Sequence, residues 1–242
     1  MKVLVIGGAG HVGTVVRPAL EAEHDCWYLD LDPVPDRADR TTVASVYDRD
    51  AMDGAVDQMD AVIYLAMGIN RGEGRGINDI EQAFGVNCGG VYQALHSAGQ
   101  AGVKRFVFAS TASVYATSVP GPDVTEDEEP DGFHGTYGVS KRAGEFVCKL
   151  AAAVYPDMTI TALRLFHPRS EEQFRLTQVP PGSENANSPY STGPEDTRRL
   201  FLAALALDQP GLHLVNTSGD MRGEGFNMTR ARELLGWAPR GQ

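Results

Sequence analysis

An α/β fold, a parallel sheet covered by helices on both faces, is what this sequence predicts, and three observations carry it. Short apolar runs of strand length alternate with stretches of helical length from residue 3 to residue 165. A glycine-rich turn follows the first apolar run directly and leads into the first helical stretch. The 242 residues, 42% hydrophobic and 22% charged, suffice for a sizeable core without disulfides or metals.

In order, residues 3–6 form a wholly apolar strand and residues 12–23 a helix, which Pro18 should kink. Residues 26–29 make a second strand and 41–46 a weaker third, followed by a helix over 50–58. Residues 61–66 are strongly apolar, 80–99 have helical spacing, and 105–109 return to strand character. A long helix is predicted over 137–153 and a strand over 159–165. Residues 167–194, rich in Pro, Ser, Asn and Gly, read as loop with little regular structure. A helix over 197–207, a strand over 212–215 and a short helix over 229–235 complete the chain. The expected division is a doubly wound domain over 1–165 and a small C-terminal substrate-binding lobe over 166–242, with strand 212–215 returning to the sheet.

Charge and composition narrow the classes of partner. The net charge of −11 disfavours nucleic acid and anionic membrane, and no Lys/Arg run offsets it. The apolar start, residues 3–6, is too short for a signal segment, and nothing later approaches a membrane span. Three scattered cysteines and six scattered histidines show no metal-ligand spacing, so no metal is expected and a reducing cytoplasm is the natural setting. The acidic stretch 126–131 reads as a solvated loop.

The turn Gly7-Gly8-Ala9-Gly10-His11-Val12-Gly13 carries the first functional signal. Gly7 lets the chain turn, Gly10 lets the backbone approach a pyrophosphate, and Gly13 lets helix and strand pack closely. The helix N-terminus then offers unpaired N–H groups and partial positive charge to phosphates. Asp30 ends the second strand about 20 residues past this turn, where a carboxylate can accept from both adenosine ribose hydroxyls. A 2′-phosphate there would meet Asp30 and Asp32 with no arginine before Arg37, which argues for NAD over NADP. The fold is therefore expected to be a Rossmann-type doubly wound sheet.

Tyr137 and Lys141 are four residues apart and would share a helix face. A phenol has a pKa of about 10, and bringing it near 7 takes roughly 4 kcal/mol of differential stabilisation, which a nearby ammonium and a positive nicotinamide both favour. Strand 105–109 delivers Ser110-Thr111-Ala112-Ser113-Val114-Tyr115 to the carboxyl edge of the sheet, where open α/β sheets bind ligands.

Together these features resemble the extended short-chain dehydrogenase/reductases, the NAD-dependent epimerase/dehydratase family. The resemblance takes in the glycine turn, Asp30, Leu65-Ala66, Asn87 in Val86-Asn87-Cys88-Gly89-Gly90, Ser110 to Tyr115, Tyr137/Lys141, Leu163-Arg164-Leu165, and the tail from Arg230 to Pro239 with its Leu-Gly-Trp-x-Pro ending. It implies Tyr137 as general base, Lys141 as its partner that also holds the nicotinamide ribose, and Thr111 as the substrate-binding Ser/Thr, with Ser110 as the alternative. It also implies Asn87 near the active site, supporting the lysine through backbone and water contacts. The cofactor contacts expected are Gly7, Gly10, His11, Val12, Gly13, Asp30, Ser45, Val46, Leu65, Ala66, Asn87 and Lys141. A homodimer formed by helices 80–99 and 137–153 is a further family expectation.

The sequence departs from the family pattern in three places. Ser45 stands where members often carry an acid that holds adenine, and His167 where sugar-nucleotide epimerases often carry an Asn; His167 is either a substrate ligand or a plain loop histidine. Only about 75 residues follow Leu165, whereas sugar-nucleotide members are usually longer. The uronate dehydrogenases are similarly short with a comparable tail. Arg71 and Arg75 in the glycine-rich loop 70–76, and Arg169 and Arg175 after the sixth strand, are candidates for gripping an anionic substrate, as Ser113 is for a hydroxyl; loop 70–76 also reads as a plain flexible loop. Three functions follow: an epimerase or dehydratase on a sugar or sugar nucleotide, a net NAD-dependent dehydrogenase of a small sugar acid, or a non-catalytic NAD-binding regulator.

Overall fold

The computed structural model describes residues 1–68, 76, 79–117, 119–129, 135–177 and 190–241. Seven strands, all parallel, form one sheet: β1 (Lys2–Ile6), β2 (Asp25–Asp30), β3 (Thr41–Val43), β4 (Ala61–Tyr64), β5 (Arg105–Thr111), β6 (Thr159–Leu165) and β7 (Gly211–Thr217). Their order across the sheet is β3-β2-β1-β4-β5-β6-β7. The chain runs outward from β1 to β3 and then returns to β4 on the other side of β1. That reversal opens a crevice at the carboxyl ends of β1 and β4, the place where such sheets take ligands. Pairing of Ile6 with Tyr64, Thr111 with Leu165 and Leu165 with Thr217 brings the carboxyl ends to one edge.

Both faces of the central strands are buried because β1 and β4 are apolar almost throughout, the pattern a parallel sheet needs, while the edge strand β3 (Thr41–Val43) is largely exposed. On one face Val3, Val5, Ile63 and Val107 pack against Val16 and Leu20 of α1 (His11–Glu23) and Leu200 and Phe201 of α7 (Pro194–Ala206). On the other, Leu4, Ile6, Val62 and Phe106 meet Met52 of α2 (Arg49–Val56), Leu95 of α4 (Val91–Gln100) and Cys148 of α5 (Thr136–Val154). Among the described residues, no helix is long and apolar enough to cross a membrane.

Several elements differ in detail from the sequence expectation. Helix α1 continues through Pro18, whose ring is exposed. Strand β3 is shorter than residues 41–46. The helical stretch from residue 80 is three pieces: α3 (Ile80–Phe84), a wide π turn (Gly85–Gly90), and α4. The expected loop after β6 contains a helix, α6 (Glu171–Thr177). Its start is a reciprocal cap: Gln173 N donates to Ser170 Oγ at 3.3 Å, and Ser170 N donates to Gln173 Oε1 at 3.2 Å.

The C-terminal tail is fastened to α7 by one buried carboxylate. Asp196 accepts from the backbone N–H groups of Arg240 and Gly241, each at 2.9 Å, and Trp237 donates its indole N–H to the Asp196 carbonyl, also at 2.9 Å. Helix α8 (Thr229–Leu235) ends at Gly236, whose φ of +60° is the left-handed geometry that glycine adopts without strain.

Candidate active site

The glycine turn is shaped by backbone crowding. Gly7 has φ +87°, and a Cβ there would lie 2.5 Å from the Ala66 nitrogen; at Gly13 it would lie 2.4 Å from the Gly8 carbonyl oxygen. At Gly10 the one near neighbour is the Gly7 carbonyl oxygen at 3.2 Å, so the bare glycine leaves room above the helix end. No side chain caps the N-terminus of α1 and its first turn holds no acid. Its leading N–H groups, at His11, Val12 and Gly13, therefore fit a diphosphate.

Asp30 is oriented by this turn. Its Oδ2 accepts from Ala9 N at 2.8 Å and its Oδ1 from Leu31 N at 2.8 Å, which fixes the carboxylate beside the glycine loop. The first arginine after it, Arg37, is paired with Glu21 at 2.8 Å and is committed there. A ribose with free hydroxyls suits this corner, and a 2′-phosphate does not. Leu65 N donates to the Ile6 carbonyl at 2.8 Å, which draws the Leu65-Ala66 backbone against Gly7. Ala44 N donates to the Asp30 carbonyl at 2.9 Å, and Ser45 Oγ accepts from Tyr47 N at 3.2 Å, so Ser45 and Val46 border the same corner. His11 spans from the turn to the chain beyond β6, its Nε2 lying 2.9 Å from the Pro168 carbonyl oxygen.

Two strand spacings away, about 10 Å along the same edge, β5 ends at Thr111. Helix α5 reaches this end because Gly138 has no side chain: a Cβ there would sit 2.1 Å from the Ser113 carbonyl oxygen. The contact brings Tyr137 to Thr111. Burial pushes the Tyr137 phenol up from its ordinary pKa, and the Thr111 side chain opposes this by hydrogen bonding. Thr111 Oγ1 also accepts from Ser113 N at 3.1 Å, and Ser113 itself is exposed.

Lys141 lies on the same helix face, but its ammonium turns inward. Its Nζ donates to the Ala109 carbonyl at 2.8 Å and stands 4.9 Å from the Phe108 ring centre. Burial lowers its pKa to about 7. Asn87, fully buried in the π turn, reaches α5 one residue before the lysine: its Nδ2 donates to Ser140 Oγ at 3.0 Å, and its Oδ1 accepts from Gly68 N at 3.3 Å. Its support for the helix thus passes through Ser140.

Ser110 points away from Thr111, as alternation along a strand requires. Its hydroxyl donates to Glu145 Oε1 at 2.5 Å in the interior, so the structure does not place it in the cleft. His167 has φ +39° and stacks on Phe166 at 4.2 Å; partial burial of its ring against Phe166 and the charge of Arg169 lower its pKa. Arg169 N donates to the Thr192 carbonyl at 3.0 Å, and Arg175 is exposed on α6. Arg71 and Arg75 lie outside the described residues. Sequence reasoning passed over Glu145 and Asn216, and read Glu126 as part of a solvated loop. The last is buried and accepts from Asn216 N at 2.7 Å rather than standing in a solvated loop. A lone arginine inside the apolar run Leu163-Arg164-Leu165 was the available signal for a buried acid. No cluster of three or more metal-ligating side chains occurs among the described residues.

Comparison with known proteins finds relatives of this chain in sequence and in fold. A NAD-dependent glucose-6-phosphate dehydrogenase from Haloferax volcanii is 28% identical, over 98% of this chain and 92% of its own length. A UDP-glucose 4-epimerase from Haemophilus influenzae is 29% identical over 78% of this chain, which spans 60% of that enzyme. The uronate dehydrogenase of Agrobacterium tumefaciens has the same fold, with a TM-score of 0.73 at 22% identity, over 99% of this chain and 84% of that one. The sequence profile of the NAD dependent epimerase/dehydratase family matches residues 3–187, from the first strand past the sixth, and so takes in the glycine turn, Asp30, Thr111, Tyr137 and Lys141. By the extent of that match, the chain belongs to the NAD dependent epimerase/dehydratase family.

Proposed function

We propose that this protein removes hydride from a carbinol of a sugar or sugar nucleotide, with Tyr137 as the base and Thr111 binding the reacting hydroxyl. The observation that supports this most is the meeting of Tyr137 and Thr111 at the carboxyl end of β5, two strands from a turn that fits a diphosphate. When bound, NAD⁺ supplies the hydride acceptor. Thr111 orients the substrate hydroxyl, and the Tyr137 oxygen takes its proton as the C–H bond breaks. Lys141 sits beneath, its amine held at the Ala109 carbonyl and able to exchange that partner for the cofactor ribose. Gly7, Gly10, His11, Val12, Gly13, Asp30, Ser45, Val46, Leu65, Ala66 and Asn87 line the cofactor side, and His167, Arg169 and Arg175 the substrate side.

A second reading, net oxidation of a small sugar or sugar acid with release of NADH, is favoured by length. The chain spans 92% of the Haloferax dehydrogenase and 60% of the Haemophilus epimerase. The C-terminal lobe over 166–242, which sends β7 back into the sheet, then encloses a small substrate. Incubation with NAD⁺ and a panel of hexose phosphates, uronates and UDP-sugars decides between them. Accumulating absorbance at 340 nm marks a dehydrogenase, and interconversion of UDP-sugars without it marks an epimerase. Tyr137→Phe is expected to lower either activity about 10²- to 10⁴-fold with NAD⁺ binding retained; full activity in that variant contradicts the assignment, and the absence of any turnover across a broad panel leaves the regulator reading.

We also propose a homodimer in the cytoplasm. Tyr92 of α4 and Phe146, Leu150 and Val154 of α5 are 53–66% exposed, an apolar surface that a second copy would cover. The net charge of −11 does not suit nucleic acid as a partner.

A further inference from the structure

We infer that Glu145 and Arg164 are positioning residues, which set the Thr111 hydroxyl against the Tyr137 phenol by clamping both ends of the segment from Ser110 to Tyr115 onto helix α5. This rests on the reading of Tyr137 and Thr111 given above.

Arg164 is the penultimate residue of the fully buried strand β6, at 2% exposure, and makes a two-pronged pair with Glu145. Its Nε donates to Glu145 Oε1 at 3.0 Å and its Nη2 to Oε2 at 2.8 Å. The remaining donor, Nη1, reaches the Tyr115 hydroxyl at 2.6 Å, and the guanidinium lies 5.0 Å from the centre of that ring. Glu145 accepts in addition from Ser110 Oγ at 2.5 Å. Tyr115 in turn donates to Asn216 Oδ1 at 2.8 Å on β7, and Asn216 N donates to Glu126.

The connectivity supplies the argument. Ser110 immediately precedes Thr111, and Tyr115 closes the short turn Ala112–Val114 that follows it. Glu145 belongs to the helix that carries Tyr137 and Lys141, about two turns beyond the first and one beyond the second. One carboxylate and one guanidinium therefore tie the strand end and the far end of its turn to the helix bearing the phenol. Stability alone does not account for such a pair. Removing two charges from water costs about as much as their attraction returns, and well-packed apolar replacements are often neutral or better. What an apolar pair cannot reproduce is the directional grip on two separate hydroxyls, Ser110 and Tyr115.

The test needs no substrate. Protein carrying tyrosine labelled with ¹³C at Cζ is titrated by NMR with NAD⁺ bound, and the Tyr137 signal is identified by its loss in Tyr137→Phe. Thr111→Ala should raise the Tyr137 midpoint. The paired replacement Glu145→Leu with Arg164→Met, which keeps the volume filled, should raise it in the same direction, and adding Thr111→Ala to that background should change it no further. Tyr115→Phe leaves the ion pair in place and cuts one end of the clamp, so a smaller shift of the same sign is expected; it stands as the readout if the paired variant does not fold. A folded paired variant with the wild-type midpoint, or with the full Thr111→Ala shift still added on top, overturns the inference. So does an unchanged midpoint in Tyr115→Phe. A wild-type midpoint indifferent to Thr111→Ala would instead defeat the underlying reading of the site.

Discussion

Tyr137 and Lys141 illustrate how far a motif carries at the scale of single residues. Spacing placed both on one helix face, and they are there. The Lys141 ammonium bonds the Ala109 carbonyl, while burial raises the phenol's pKa and the Thr111 side chain opposes that rise. A lysine whose pKa is lowered by burial has a measurable consequence. Its pKa of about 7 in the folded chain lies below the usual value of 10.5, so the unfolded chain binds the extra proton between those limits. Stability without cofactor should therefore rise with pH from about 7 towards 10.5, and Lys141→Met should flatten that rise and melt higher at neutral pH. Thermal melts of both proteins between pH 7 and 9.5 check this; parallel curves would show that the lysine is not buried as described. Asp30 and the glycines were legible because each answers a local steric or charge demand. The pairing of Ser110 with Glu145 was not, since nothing local indicates which face of β5 meets α5.

At the scale of elements, the alternation of strands and helices was readable almost throughout, because a sheet buried on both faces demands unbroken apolar runs. Strand β6 has the expected bounds and β5 runs two residues past them, to Thr111. Misreadings occurred where a local feature outweighed composition. The polar stretch after β6 hid α6, although Ser170 and Gln173 have the spacing of a reciprocal cap. Gly85, Gly89 and Gly90 widen the helix after residue 80 into a π turn, which places Asn87 against α5: a Cβ on Gly144 would lie 2.4 Å from the Asn87 carbonyl oxygen. The contact of α5 with the turn at Ser113 is equally tight. Gly138→Ala should cost about 1–3 kcal/mol by overpacking and lower turnover by lifting Tyr137 from Thr111. Chemical denaturation and steady-state rates measure the two effects, and a variant as stable and active as the parent would contradict the packing described.

For the whole molecule, strand order and the glycine turn converge on one edge of the sheet. The tail is held by tertiary contacts no motif announces: Asp196 gathers Trp237, Arg240 and Gly241 from more than 40 positions away. The exposed apolar residues of α4 and α5 carry a prediction at this scale. Leu150→Asp should shift a dimer to monomer in light scattering while leaving the fold intact, and an unchanged mass would place the interface elsewhere. The central claim, that Tyr137 and Thr111 face the reacting end of a dinucleotide laid from the glycine turn across β4 to β5, is tested most directly by a crystal structure with NAD⁺. The expected result is a diphosphate on the N-terminus of α1, adenosine ribose on Asp30, and nicotinamide beside Tyr137 with Lys141 Nζ moved from Ala109 to the second ribose. A cofactor bound with its nicotinamide remote from Tyr137, or seated away from the Gly7–Gly13 turn, would contradict it.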